Sequence, residues 1–219
     1  VIDHCGPITL PELWRPGNIH RITCEVQVHS TLTLADGVQI RFAATGNPQP
    51  GIQVAKSAPG RVLARGGAAG VHASPEVSGT NAGYWVFNRQ DSGSEITGLR
   101  FANSAINRAA IVLDGAEVRF DDLHLIEPRH TSLAGLHATN GAILHLENSE
   151  VVGGWADAVR VDVGSALAAF EGNEIVDNVG FPLRIPFSQV GALQGDNALL
   201  DNGRPLVELA GDRLEVDAT

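Results

Sequence analysis

Methionine is absent from this sequence and lysine occurs once, at Lys56. Long, flexible helix formers are therefore scarce, which argues against a helical protein. Positive charge is also short: 15 Lys and Arg stand against 25 Asp and Glu, for a net charge of −10. A phosphate backbone or an anionic membrane surface is bound through a basic footprint, so nucleic acid is not an expected partner and neither is a lipid surface. No apolar run reaches the roughly 18 residues that span a bilayer, so membrane insertion by a helix is not expected. Aromatics make up only 5%. No HExxH and no GxGxxG opening a helix occurs, which removes the usual marks of histidine-metal catalysis and of dinucleotide binding.

Cysteine is limited to Cys5 and Cys24. Two cysteines without a CxxC spacing make a poor metal site. The expected reading is one disulfide closing the N-terminal segment. Two buried thiols, or metal or redox chemistry, are the open alternatives. A disulfide implies an oxidising, extracytoplasmic compartment. The chain starts Val1-Ile2-Asp3-His4-Cys5, already polar, with no lipobox before Cys5. It reads as a mature or excised fragment.

What is present is small and β-branched. Hydrophobic residues make up 43%, drawn mainly from Val, Ile, Leu and Ala, and there are 25 Gly. Such residues suit flat, closely stacked strands. From Glu95 onward the chain repeats at a spacing of about 24 residues. Three apolar columns line up. The first holds Phe120, Leu146 and Phe170, with Gln194 as the exception. The second holds Phe101, Leu125, Val151, Ile175 and Leu199, and the third Ile111, Leu136, Val159, Leu183 and Leu206. Around each column apolar and polar residues alternate, as in Val159-Arg160-Val161-Asp162-Val163, so each repeat predicts short strands with one buried face. Between them stand Gly172-Asn173, Asp177-Asn178, Asp196-Asn197 and Asp201-Asn202, residues that tolerate the left-handed backbone of sharp corners.

One repeat cannot bury its own apolar face, whereas stacked repeats can. The expected fold is all-β: a single-stranded right-handed parallel β-helix, a solenoid of about 8–9 coils of roughly 24 residues. Residues 1–219 are expected to form one domain, irregular over 1–94 and regular over 95–214. The Gly, Ala, Ser and Thr of 66–81 are expected to form a loop excursion. The closing Leu214-Glu215-Val216-Asp217 still reads as a strand, with an edge for another coil, domain or subunit to cover.

A family resemblance runs along most of the chain. Val26-Gln27-Val28, Leu32-Thr33-Leu34, Asp36-Gly37 and Val38-Gln39-Ile40-Arg41-Phe42 resemble the opening coil of bacterial secreted right-handed parallel β-helix proteins of the pectate-lyase-like fold. Trp14 is similar to that family's lead-in segment, where it would cover the end of the core. Ile52–Gly70, Gly83–Phe87 and Phe170–Ile185 resemble further coils. The resemblance implies a secreted β-solenoid, extracellular or at the bacterial cell surface. It implies little about function, because the matching positions are structural.

Stacking makes outward residues of neighbouring coils into ladders. Four are expected: Arg100, His124, Glu150, Glu174; Arg119, His145, Ala169; Asp121, Glu147, Glu171; and His137, Arg160, Arg184. Carboxylates on adjacent coils would lie about 5 Å apart, where they raise one another's pKa or recruit a cation. Ca²⁺ is the cation such oxygens suit, yet no Gly-Gly-x-Gly-x-Asp repeat occurs, and no cofactor is expected. The stacked arginines suit an anionic or acidic-sugar ligand, unless Asp162 or Asp114 neutralises them. His137, Arg160, Arg184, Arg119, Glu150, Glu171 and Glu174 are thus candidate ligand contacts. Asp121, Glu147, His124 and His145 are the candidates for acid–base chemistry if the chain is an enzyme.

Two functions follow as expectations. The first is a non-catalytic extracellular module, structural, adhesive or ligand-binding. Its partner would be a glycan, another protein surface, or a second copy met at the solenoid ends. The alternative is a carbohydrate-active lyase or hydrolase acting on acidic glycans. Asp121-Asp122 lacks the Asn-Thr-Asp, Gly-His and Arg-Ile-Lys companions found in polygalacturonases of this fold.

Overall fold

Alternation leaves a short segment one way to bury its apolar half, as a strand with one face inward. In Thr31-Leu32-Thr33-Leu34-Ala35, Leu32 and Leu34 are fully buried while the threonines are half-buried. The same pattern recurs along the chain. The computed structural model describes residues 1–44, 49–77, 83–103, 108–130, 132–193, 195–205 and 207–211.

The strands assemble into three rows. One row holds β2 (Glu12–Trp14), β4 (Thr31–Ala35), β7 (Arg61–Arg65), β10 (Ser94–Thr97), β13 (Glu117–Asp121), β16 (Ile143–Glu147) and β19 (Ala166–Glu171). The second runs from β3 (Ile19–Val28) through β5 (Gln39–Phe42), β8 (Val71–Pro75), β11 (Leu99–Ala102), β14 (His124–Ile126) and β17 (Glu150–Val152) to β20 (Glu174–Val176). The third also leaves from β3. It passes through β6 (Gly51–Val54), β9 (Tyr84–Asn88), β12 (Ile111–Asp114), β15 (Leu136–Thr139) and β18 (Val159–Val161) to β21 (Leu183–Pro186) and β22 (Glu208–Ala210). β1 (Ile2–Ile8) lies against β3. All pairings between these strands are parallel. The molecule is all-β with long parallel sheets, an arrangement consistent with a β-solenoid. Among the described residues no helix is long and apolar enough to cross a membrane.

The columns fill the interior. Phe120 stacks on Leu146 and Leu146 on Phe170. Phe101, Leu125, Val151 and Ile175 form a second stack, and Ile111, Leu136, Val159 and Leu183 a third. These side chains are essentially fully buried, and each contributes about 1.5–3 kcal/mol relative to exposure. Leu199 is half-buried against the same core. Gln194 and Leu206 lie outside the described residues, as do 212–219.

The corners form columns too. Gly98, Asp122, Asn148 and Gly172 share positive φ at one corner; Asn103, Glu127, Gly153, Asp177 and Asp201 share it at the next. The dipeptide Asp177-Asn178 divides its labour there. Asp177 takes the left-handed turn at φ 57°. Asn178 reaches inward and is 1% exposed. Its Nδ2 donates to the Val151 carbonyl at 3.0 Å, and its Oδ1 accepts from the Gly154 N–H at 2.9 Å. Asn202 repeats this at the same corner of the next repeat, 24 residues away. Backbone groups that no strand pairs are thereby satisfied at the corner.

The expected excursion over 66–81 is narrower than its composition suggests. Val71–Pro75 is β8, paired with β5 on one side and β11 on the other. Its inward Ala73 stands in register with Ile40 and Phe101, so large neighbours above and below fill the space a small residue leaves. Residues 78–82 lie outside the described residues.

At the N-terminal end, Cys5 of β1 and Cys24 of β3 form a disulfide across 19 residues. Closing a loop of this length stabilises by about 3 kcal/mol in the chain-entropy account. Trp14 is 2% exposed and belongs to the core cluster, covering its end.

Candidate functional site

The strand registers bring all four ladders together. Arg100 faces His124, which faces Glu150, which faces Glu174. Arg119 faces His145, and His145 faces Ala169. Asp121, Glu147 and Glu171 are in line, as are His137, Arg160 and Arg184. All project outward from strands whose alternate residues fill the core.

The His137–Arg160–Arg184 ladder is neutralised by carboxylates. Asp162 sits two residues beyond Arg160, on the same side of the chain. It accepts from Arg160 Nε at 2.7 Å and lies 2.8 Å from His137 Nε2. Burial alone would raise the Asp162 carboxyl. Hydrogen bonds and charge from Arg160 and His137 overcome that and hold it below the usual carboxylate value. Arg184 pairs with Glu208 at 3.0 Å and with Asp157 at 3.8 Å. Asp114, the other expected partner, instead accepts from Asn140 at 2.7 Å. Arg160, Asp162, Val163, Arg184 and Ala210 border an open depression of about 320 Å³. Two guanidinium groups and one imidazole there meet three carboxylates, so the depression offers an anion little uncompensated charge.

The candidate acid–base residues are likewise engaged. His124 Nδ1 lies 2.8 Å from Glu150 and its Nε2 lies 2.9 Å from Asp122. Both ring nitrogens are engaged by carboxylates. His145 Nε2 lies 3.2 Å from Glu117. Glu147 faces Arg119 at 3.6 Å, and Asp121 accepts from Asn148 at 2.9 Å. Among the described residues no group of three or more His, Cys, Asp or Glu is arranged to hold a metal ion. The acidic ladder therefore supplies a line of carboxylates and no cage.

Two features escape the ladder argument. Glu25, where β3 passes between rows, accepts from Gln53 at 2.6 Å, Lys56 at 2.7 Å, Gln27 at 2.8 Å and the Tyr84 hydroxyl at 3.2 Å. Burial would raise this carboxyl, and these donors hold it below its usual value. Its partners come from 25–84, where the repeat is irregular, so no column aligns them. The second is Trp155. It is 45% exposed, with the Arg129 guanidinium 5.9 Å from its ring. It follows Gly153-Gly154 at a corner, and inward columns say nothing of corner side chains. No family model, curated protein or solved structure matches this chain.

Proposed function

We propose that this chain is a right-handed parallel β-helix of the pectate-lyase-like type, with about 8–9 coils. In this reading it serves as a non-catalytic extracellular module, structural, adhesive or ligand-binding, secreted or held at a bacterial cell surface. One observation carries the proposal: the ladder histidines His124, His137 and His145, and the ladder arginines facing Asp162, Glu147 and Glu208, are already paired with carboxylates on the same or a neighbouring turn of the chain. Acid–base catalysis requires a group within reach of the substrate's proton and free to take it. A rigid stack with compensated faces suits spacing, display, and contact with a glycan or another protein surface. Its ends suit association with a second copy. The Cys5–Cys24 disulfide supports the oxidising compartment this requires.

The competing reading is a lyase or hydrolase for acidic glycans built on Asp121, Glu147, His124 and His145. It draws on the in-register Asp121–Glu147 pair. The two are separated by a glycan array and a turnover screen on acidic polysaccharides, each run with and without Ca²⁺. The module reading expects no bond cleavage under either condition. Cleavage that disappears in Asp121→Asn and Glu147→Gln, with the fold intact, would establish the enzyme instead.

A further inference from the structure

The N-terminal end carries a cluster that the charged ladders do not involve. His4 of β1, Trp14 of β2 and His20 of β3 form a pile of rings. Trp14 and His20 stack with centroids 4.6 Å apart at 12°. His4 lies 4.2 Å from Trp14 and 5.1 Å from His20. His4 Nε2 and His20 Nδ1 are 2.9 Å apart, so one nitrogen donates and the other must be a bare acceptor. His20 is only 3% exposed and its Nε2 is buried without a partner. Its row neighbour is the fully buried Ile40.

A neutral imidazole fits this place and an imidazolium does not. A second charged N–H on His20 would meet no side-chain acceptor, only the Arg15 backbone, and its first would face His4. The surrounding charges do not repair this. Asp3 of β1 faces Arg21 of β3 at 3.6 Å, and Glu12 of β2 accepts from Trp14 Nε1 at 2.9 Å. Arg15 offers His20 its backbone. β4, packed against β2, brings no charged residue. Burial depresses both imidazoles. For His4, Glu12 and Asp3 partly offset it; for His20, the charge of His4 deepens it.

We propose that the His4–Trp14–His20 pile is an acid-sensitive latch. With neutral imidazoles it holds Trp14 across the end of the core; on protonation it releases β2. That strand is three residues long and pairs with β4 alone. The Cys5–Cys24 disulfide keeps β1 tied to β3, so opening is confined to β2 and the turn into β3. A histidine held below its unfolded value contributes its full stabilisation above about pH 6.5 and loses it as pH falls below that. Acidification thus uncovers the apolar end where Trp14 lies in register with Leu34.

Amide hydrogen exchange of the oxidised chain tests this, at about pH 7.5 and about pH 5 with intrinsic rates corrected. The expected result is that protection across 12–20 drops about tenfold or more at the lower pH, while β9, β12 and β15 hold theirs. His20→Leu should abolish that pH dependence. His4→Phe, on the rim of the pile, carries the same test should His20→Leu disturb the core. Equal protection of 12–20 at both pH values overturns the proposal. So does a loss that persists in both variants, or one spread evenly over the molecule.

Discussion

Asn178 and Asp162 do opposite jobs with similar side chains. Asn178 is buried at a corner and ties three successive turns of the chain through the Val151 carbonyl, the Gly154 N–H and Asn202. Replacing it with alanine leaves those backbone groups unpaired where water does not reach. We expect Asn178→Ala to cost about 2–4 kcal/mol in denaturant unfolding, far more than a surface change. Asp162 is half-buried and charged. Its folded-state pKa is depressed, so its contribution is present above its unfolded value near pH 3.9 and is lost as pH falls through the folded one. Asp162→Asn should therefore lower stability at neutral pH and narrow the gap to the wild type as the solution becomes strongly acidic. Unfolding curves at a series of pH values measure this. The role of Asp162 was readable in advance, because Arg160 and Asp162 alternate onto one side of a strand. The inward reach of Asn178 was not, because a corner dipeptide does not state which of its two residues turns the chain.

At the scale of the strand, register is the property everything else rests on. β17 pairs with β20 so that Glu150 faces Glu174. Directly facing residues of adjacent parallel strands sit about 4.8 Å apart, within the span a disulfide bridges. We expect Glu150→Cys/Glu174→Cys to close an intramolecular disulfide under mild oxidation, seen by mass after proteolysis. The offset pair Glu150→Cys/Val176→Cys should stay reduced. Equal cross-linking of both pairs would mean the rows slide. These registers were legible where large residues mark the columns, as with Phe120, Leu146 and Phe170. β8 was hidden in a stretch of Gly, Ala and Ser, because Ala73 is small where its row neighbours Ile40 and Phe101 are large. Composition registers the small residue and misses the space already filled around it.

Over the whole molecule, one set of positions is uniform and another is not. Inward residues must fit the rows above and below, so they repeat and give the fold away. Outward residues answer only to local partners, so the ladders differ in sign from one to the next, acidic at Asp121–Glu147–Glu171 and basic at His137–Arg160–Arg184. The net charge of −10 conceals a balance struck row by row, as at Arg160–Asp162–His137 and Arg184–Glu208. That balance is the central claim: these paired side chains hold one another and the stack. A double-mutant cycle on Arg160 and Asp162, read by denaturant unfolding at neutral pH, tests it most directly. The predicted coupling is about 0.5–1 kcal/mol in favour of the pair. Strictly additive effects would contradict it, leaving Arg160 as uncompensated charge awaiting an anionic ligand.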